Sequence, residues 1–274
     1  MPAGCSKSSL RVPNADTTLS NMKTALSEGW GHNTVAVLVL IAEGKWPRPD
    51  AILFSDTGSE QDATYRYITE FGAPYAKTHG LYVQVVGSEF RPPSYQGSLE
   101  EYSLKNHMVP GGMHRWCTDK FKIRPLKAAR RALLGASAAN PVESWIGIAT
   151  DEPTRMKPSD DPESVNRWPL IELGMNRADC DAVIAAAGLP IPPKSGCWFC
   201  PFTSRATWQR MKINDPEHFE RALAMERNAH KRDGSPIYLP MFGSLEAVAS
   251  QDALPGFDEA ITAEAECVTG VCFV

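Results

Sequence analysis

The clearest chemical signal in the sequence is a pair of cysteines three positions apart. Cys197 and Cys200 form a C-x-x-C motif, a spacing at which two thiolates bind one Zn²⁺ or an iron–sulfur cluster. A dithiol redox pair and two unrelated core cysteines are the other interpretations. The chain has seven cysteines in 274 residues, and because further thiols are available to complete a site, we favour metal binding.

A second signal is a concentration of positive charge in residues 115–131. This stretch carries one acidic residue, Asp119, against seven basic residues: Arg115, Lys120, Lys122, Arg124, Lys127, Arg130 and Arg131. In a chain of net charge −4, such a cluster favours an anion site, because a guanidinium group can bind sulfate or phosphate through two hydrogen bonds. A solvated helix face is the competing interpretation, and it is the better one for Arg130 and Arg131.

Two short polar segments have the composition of ligand-binding loops. Residues 29–34 contain two glycines, which let a backbone curl around an anion ahead of a helix, and Thr34 could add a hydroxyl group. Residues 54–60 place Asp56 and Thr57 after a strand, at the edge where open α/β sheets bind ligands. Taken singly, a plain strand-to-helix turn explains the first segment and a helix N-cap the second.

These segments need a framework, and the apolar pattern of the first half of the chain predicts one. The strand-like runs are 51–54, 81–86 and 144–149, with a weaker one at 22–26 placed by its position. The helix-compatible runs are 34–42, 62–71 and 123–134. Strands that alternate with helices predict a Rossmann-like α/β fold, a mostly parallel sheet with helices on both faces.

The character of the sequence changes in its second half. Proline, tryptophan and cysteine punctuate residues 168–201, and a helical pattern follows at 216–231. We therefore predict an α/β domain at residues 1–157. The C-terminal part, residues 158–274, holds the C-x-x-C motif, a helical appendage and a cysteine-bearing tail.

Charge and hydropathy narrow the class of protein. A net charge of −4 and a pI of about 5.9 give no overall attraction to nucleic acids or membranes, although a local basic face can still bind phosphates. Residues 1–14 lack the apolar core of a signal peptide, and no run approaches the roughly 20 apolar residues of a membrane helix. We expect a cytoplasmic protein with a small-molecule site and no membrane partner.

In combination, the segments resemble the phosphoadenosine-phosphosulfate (PAPS) reductase family, phage and bacterial type, of the adenine-nucleotide α-hydrolase (PP-loop) superfamily. Residues 29–34 resemble its pyrophosphate-binding loop, and 54–60 its D-T-G block. Residues 147–155 resemble a strand and loop that closes over the nucleotide, and 195–201 the family's C-x-x-C segment. The resemblance implies the superfamily's fold and an adenine nucleotide, ATP or PAPS, as ligand, with Mg²⁺ as an accompanying ion.

The resemblance also assigns roles to individual residues. It implies that the nucleotide contacts Gly29, Trp30, Gly31, His32, Asn33, Thr34, Asp56, Thr57, Gly147, Ile148 and Arg155. It implies that Arg115 and Lys122, together with Arg155, hold the transferred anion. Cys267 resembles the nucleophile of the family's C-terminal E-C-G motif, whose thiolate attacks sulfate sulfur.

The resemblance also implies a set of metal ligands, through the number of residues between two groups of cysteines. Cluster-bearing reductases of the family carry a Cys-Cys pair and, about 80 residues later, a C-x-x-C motif; here Cys117 precedes Cys197 by 80 residues, and Thr118 replaces the second cysteine of the pair. Cys117, Cys197 and Cys200 are thus the implied ligands of an iron–sulfur cluster, with zinc as the alternative metal. The fourth ligand is open among Cys180, Cys267 and Cys272, of which we choose Cys180. The alternative is an iron with an open position that binds substrate or sulfide.

The chain also departs from the family pattern in residues 29–34. Gly29 replaces a serine, Trp30 a glycine and Asn33 an aspartate. We expect Trp30 to add bulk where the backbone should approach a phosphate.

Two functions follow from these observations. The first is an enzyme of sulfur transfer or reduction, or of adenylyl activation with pyrophosphate release. It would work with a sulfur donor or a thiol reductant protein, and nucleic acids are among its candidate substrates. The second is a catalytically inactive nucleotide-binding module with a structural zinc site.

Overall fold

A five-stranded parallel sheet forms the centre of the molecule, for which the computed structural model describes residues 22–112 and 114–250. The strands are β1 (Thr24–Glu28), β2 (Ala51–Ser55), β3 (Val83–Val86), β4 (Val142–Trp145) and β5 (Ser164–Arg167). Their order across the sheet is β3-β2-β1-β4-β5, and all neighbouring strands are parallel. The predicted α/β class with a parallel sheet is confirmed.

Helices connect the strands and continue beyond the sheet. They are α1 (His32–Ala42), α2 (Asp62–Tyr67), α3 (Ala73–Thr78), α4 (Leu99–Lys105), α5 (Trp116–Thr118), α6 (Arg124–Leu134), α7 (Pro169–Glu172), α8 (Arg177–Ala186), α9 (Arg205–Asn214), α10 (Pro216–Asn228) and α11 (Leu245–Ser250). Two π-helical segments, Ile68–Gly72 and Asp119–Ile123, join α2 to α3 and α5 to α6. Among the described residues, no helix combines the length and apolar character that a membrane span requires.

The two faces of the sheet carry separate cores. Leu26 and Ile52 belong to the core that contains α1 and α8. Their neighbours Ala25 and Leu53 belong to another core, together with Leu126 of α6. Successive residues of a strand point to opposite faces, so helices cover both faces of the sheet, as predicted.

Helix α1 is buried on all sides. Residues 35–41 are all buried, and a helix that is apolar all round must be covered all round. The sheet lies on one side of α1, and α8 packs against it with Cys180 and Ile184. The start of α1, where residues 29–34 lie, is thereby held in a fixed position.

The C-terminal helices share a core with residues from the first half of the chain. Tyr102 of α4 and Phe121 pack with Trp208, Phe219 and Leu245 of α9, α10 and α11. Beyond residue 157, β5 and α8 still belong to the sheet layer. The division of the chain at residues 157 and 158 stays a prediction.

The predicted elements agree with the structure to within a few residues, with two informative differences. The strand predicted at 144–149 ends at Trp145, because the Ile148 N–H donates to the Ile146 carbonyl (2.9 Å) and turns the chain. The helix predicted at 62–71 is α2 followed by a π-helical segment.

Candidate active site

The strand order creates a crevice at the carboxyl end of the sheet. From β1 the chain continues to β2 and β3 on one side and then crosses to β4 and β5 on the other. Such a reversal, here between β1 and β4, is where open α/β sheets bind their ligands. Residues 29–34 follow β1, and Gly147 and Ile148 follow β4, so the structure brings these predicted nucleotide-binding residues to the same crevice.

Residues 29–34 form the turn from β1 into α1. Gly31 is the N-cap residue in an extended conformation (φ −93°, ψ 172°), and α1 begins at His32. The first N–H groups of a helix have no partner within it, and the helix dipole adds to their attraction for an anion. The turn therefore presents backbone N–H groups that could donate to an anion.

The expectation that Trp30 adds bulk beside a phosphate is wrong. Trp30 has a left-handed backbone (φ 56°), and its side chain is 1% exposed. The ring meets Phe54 edge-on and lies so close to Gly72 that a Cβ there would overlap it. The left-handed conformation turns the indole into the core while the backbone remains in the loop.

Glu28, the last residue of β1, lies within the same turn. Its Oε1 accepts hydrogen bonds from the Trp30 N–H (2.8 Å) and from the Thr34 hydroxyl (2.6 Å), which also accepts from the Gly29 N–H (3.2 Å). Burial raises the pKa of Glu28 from 4.5 to about 7, and these hydrogen bonds oppose the rise. The sequence analysis did not identify Glu28. The signal that could have identified it is an acidic residue between a predicted strand and a predicted loop.

The His32 ring links this turn to α8. Its Nδ1 lies 2.6 Å from Asp181 Oδ1, and its Nε2 lies 3.0 Å from Arg177 Nη2. Since the guanidinium can only donate, Nε2 accepts and Nδ1–H donates to the carboxylate. Two residues of α8 thus fix the orientation of a predicted nucleotide-binding side chain.

The segment after β4 lies against the first turn of α1. A Cβ at Gly147 would lie 2.7 Å from Thr34 Cγ2 and 3.1 Å from the Thr34 backbone nitrogen. Asn33 Nδ2 donates to Glu152 (3.3 Å), which also forms an ion pair with Arg155. Glycine at position 147 allows the two predicted blocks to meet.

Asp56 and Thr57 lie at the carboxyl end of β2, as predicted, and have partners within the protein. Asp56 Oδ1 accepts from the Tyr65 hydroxyl (2.7 Å) and from the Gly58 N–H (2.8 Å). The buried Thr57 hydroxyl donates to Glu60 Oε1 (3.0 Å) and lies 3.4 Å from Cys197 Sγ. Thr57 therefore connects the end of β2 to the C-x-x-C motif.

A cavity of about 210 Å³ opens beside this connection. Three cysteine thiols and three basic side chains line it: Cys117, Cys197, Cys200, Arg115, Lys122 and Lys194. The structure thus brings together the two predicted catalytic cations and three of the predicted metal ligands. Lys194 was not predicted, although it lies three residues before the C-x-x-C motif.

A buried ion pair between Lys122 and Glu60 lies beside Cys197. Lys122 Nζ lies 3.3 Å from Glu60 Oε1, and the Glu60 side chain is 2% exposed. Burial alone would lower the pKa of Lys122, but the Glu60 carboxylate raises it above its ordinary value. Burial, with the charge of Glu60, also raises the pKa of Cys197. Lys122 is thus a cation and Cys197 a neutral thiol at neutral pH.

Arg115 brings a second cation to the cavity. Its Nε is buried and has no hydrogen-bond partner among the described residues, and its guanidinium lies 5.9 Å from the Phe202 ring centroid. The pKa of the neighbouring Cys117 is raised by burial, although Lys122 and Arg115 oppose the rise. Arg115 lines the cavity, and a guanidinium group suits the binding of a small anion.

The thiols are of the right chemical type for a metal, but their placement does not form a coordination site. Across residues 22–112 and 114–250, no group of three or more His, Cys, Asp and Glu side chains is arranged to hold a metal ion. Cys180 lies in the core around α1 rather than on the cavity wall. Cys267 and Cys272 lie outside the described residues. The structure therefore gives no support to an iron–sulfur or zinc site.

Ser195 forms a wall between the turn at α1 and the cavity. It lines the cavity, is 4% exposed, and its Oγ would lie 2.9 Å from a Cβ at Gly31. The Gly196 carbonyl accepts from the Gln61 N–H (3.0 Å), which holds this segment to the start of α2. The turn at the start of α1 and the thiol-lined cavity are consequently adjacent.

The fold resembles that of proteins of known structure. No family model and no curated protein matches the chain. One solved structure similar to it is the phosphoadenylyl-sulfate (PAPS) reductase of Candida auris in complex with phosphate, at 15% sequence identity and a TM-score of 0.47. The likeness covers 66% of this chain and 84% of the other.

Proposed function

We propose that the chain is an enzyme that binds an adenine nucleotide, ATP or a sulfated adenosine phosphate, and transfers or reduces sulfur beside it. The position of Ser195 carries the proposal, because this residue touches the turn at Gly31 and also lines the cavity. Phosphates bound at the start of α1 would therefore lie next to the side chains of Arg115 and Lys122.

The turn and the cavity would bind different parts of the ligand. The first N–H groups of α1 would hold phosphate oxygens, and the nucleotide would lie in the crevice between β1 and β4. Arg115, Lys122 and Lys194 would hold the anionic group that reacts. The cations would also stabilise the negative charge that develops during its transfer.

With a sulfated nucleotide, the reaction would be a reduction. The Cys267 thiolate would attack the sulfate sulfur, and the bond from sulfur to the phosphate oxygen would break, which releases the nucleotide and leaves an S-sulfocysteine. A thiol of a reductant protein would then attack Cys267 Sγ and release sulfite. The resulting disulfide carries the oxidising equivalents, and a second thiol of the reductant would resolve it.

With ATP, the reaction would be an adenylyl transfer. An oxygen of the acceptor, for which nucleic acids are candidates, would attack the α-phosphorus and release pyrophosphate. A sulfur nucleophile from a donor would then displace AMP from the acceptor. Neither reaction as proposed uses a metal–sulfur centre. The thiols of the cavity only line it and take no part in the reaction.

The test is product formation by the full chain, purified and assayed without oxygen. Sulfite is measured with ³⁵S-labelled PAPS and a dithiol, and pyrophosphate with ATP and Mg²⁺. We expect one of the two products, and we expect Arg115→Gln to reduce its rate by about tenfold to 100-fold, since a hydrogen bond from a charged group to the anion is lost.

Arg124→Gln is the matched control. Arg124 belongs to the same basic stretch, but it is exposed and forms an ion pair with Asp119 (2.6 Å) instead of lining the cavity. Its rate should stay within twofold of the wild type. If ATP binds but neither product forms, the enzyme proposal is wrong and the catalytically inactive nucleotide-binding module is favoured.

A further inference from the structure

Glu28 places a buried carboxyl group inside the turn that would bind phosphate. Its side chain is 3% exposed. Its Oε1 accepts from Trp30 N–H and from the Thr34 hydroxyl, while Oε2 is buried and has no partner among the described residues. Two hydrogen-bond donors of the turn are thus already bound to a carboxylate of the protein itself.

No cation accompanies this carboxyl group. In the part of the chain that the structure describes, Glu28 forms no ion pair with Lys, Arg or His. A buried carboxylate with neutral donors alone is costly, which agrees with its pKa of about 7. A phosphate at the start of α1 would add a second negative charge to the same turn, and two anions at such a distance raise the pKa of the group that can accept a proton.

We propose that Glu28 couples ligand binding at this turn to the uptake of one proton, so that a phosphate-bearing ligand binds the protein with Glu28 neutral. The proposal rests on the proposed nucleotide binding. Protonation removes the repulsion, and it leaves Oε1 as an acceptor for Trp30 and Thr34. Glu28 is in this sense a positioning residue that shapes the turn and sets the pH range in which the turn accepts an anion.

Two other titratable groups lie at the turn. Tyr67 of α2 is buried, and both its burial and the charge of Glu28 raise its pKa, so it remains protonated near neutral pH. His32 lies between Asp181 and Arg177 of α8. His32 is therefore the group that the experiment must separate from Glu28.

The experiment is calorimetric titration of the full chain with ATP at pH 8, in two buffers that differ in ionisation enthalpy. ATP phosphates are fully ionised there, because their last pKa lies near 6–7. We expect an uptake of close to one proton per ATP bound, and a Kd that weakens by up to about tenfold from pH 8 to pH 9. Glu28→Gln should bind ATP with no proton uptake and with a Kd that is constant over this range.

His32→Gln is the matched control, and it should retain the proton uptake at whatever affinity it has. Uptake that is lost in His32→Gln and kept in Glu28→Gln would overturn the proposal. If Glu28→Gln does not fold, an infrared band of a protonated carboxyl group that appears when ATP is added to the wild type tests the same point.

Two results separate this proposal from the proposed function. ATP binding by the wild type without proton uptake, at a Kd independent of pH, overturns the coupling and leaves nucleotide binding intact. No ATP binding by either protein between pH 6 and pH 9 contradicts nucleotide binding itself and the coupling with it.

Discussion

The turn at the start of α1 and the neighbouring cavity each bury a carboxyl group, and they stabilise it in different ways. In the turn, Glu28 is held by neutral donors, the Trp30 N–H and the Thr34 hydroxyl. In the cavity wall, Glu60 forms an ion pair with Lys122 at 3.3 Å. Both side chains are almost completely buried, so the difference lies in the charge of their partners.

This difference shows that hydrogen bonds from neutral groups do not replace a counter-charge. The pKa of Glu28 rises to about 7, although the hydrogen bonds favour its charged form. Beside Glu60, the pKa of Lys122 rises above its ordinary value, so its positive charge is retained near neutral pH. The turn should therefore respond to pH in the physiological range, whereas Lys122 should keep its charge throughout that range.

Removal of the Lys122 charge should have the largest effect on stability. In Lys122→Met, the Glu60 carboxylate would be buried without its cation, so we expect the free energy of unfolding at pH 7 to fall by about 3–5 kcal/mol. Urea titration measures it. The double variant Lys122→Met/Glu60→Gln should regain most of the loss, and a loss below about 1 kcal/mol in the single variant would show that Glu60 does not depend on Lys122.

Substitution of Glu28 should change how stability depends on pH. The folded-state pKa of about 7 lies above 4.5, so the folded protein binds this proton more tightly and its stability falls as the pH rises from 4.5 to 7. Glu28→Gln lacks that loss. We expect its free energy of unfolding, relative to the wild type, to rise by about 2–3 kcal/mol from pH 5 to pH 8 in urea titrations. If the free energies of unfolding of Glu28→Gln and the wild type differ by the same amount at both pH values, Glu28 does not have the raised pKa on which the comparison with Glu60 depends.

A methyl group at Gly147 should disturb the turn without touching the cavity. Its Cβ would meet the backbone of Thr34, which cannot move aside without shifting the start of α1. We expect Gly147→Ala to lower stability by about 1–3 kcal/mol and to weaken ATP binding. Gly111→Ala is the control, because a Cβ there meets no atom within 4 Å, and thermal unfolding should show it unchanged.

The smallest effect should come from Thr57. Thr57→Val keeps the shape of the side chain and removes the hydroxyl that donates to Glu60. The ion pair with Lys122 remains, so we expect a loss of about 1 kcal/mol in urea titration at pH 7. A loss as large as that of Lys122→Met would show that the hydroxyl, and not the cation, holds the carboxylate.

The fold could be predicted because its signals are local. Apolar runs of strand length alternate with helical runs, and the turn after β1 and the end of β2 lie at the carboxyl edge of any parallel sheet with that order. The proximity of Ser195 to Gly31 could not be predicted, because more than 160 residues separate them in the sequence. The roles assigned to the site residues stay predictions.

Sequence analysis located these residues along the chain but could not show which way their side chains point or how deeply they are buried. The direction of the Trp30 ring is set by a left-handed backbone that residue type does not reveal. Cys180 was grouped with the other cysteines by chemistry, whereas the face of α8 that it occupies points to the core around α1. Glu28 was overlooked because its importance comes from burial, which only the packed structure shows.

The π-helical segment Asp119–Ile123 sets the rotation about the helix axis of the residues before it relative to those after it. A π-turn contains one residue more than an α-turn, and each residue of an α-helix rotates the chain by about 100°. Deletion of one residue here would restore regular α-helical winding and rotate Arg115 and Cys117 by about that angle relative to Leu126, which packs beneath the sheet. One wall of the cavity is thus set by the length of a single helical turn, and a one-residue change in that length would replace the wall as completely as several substitutions.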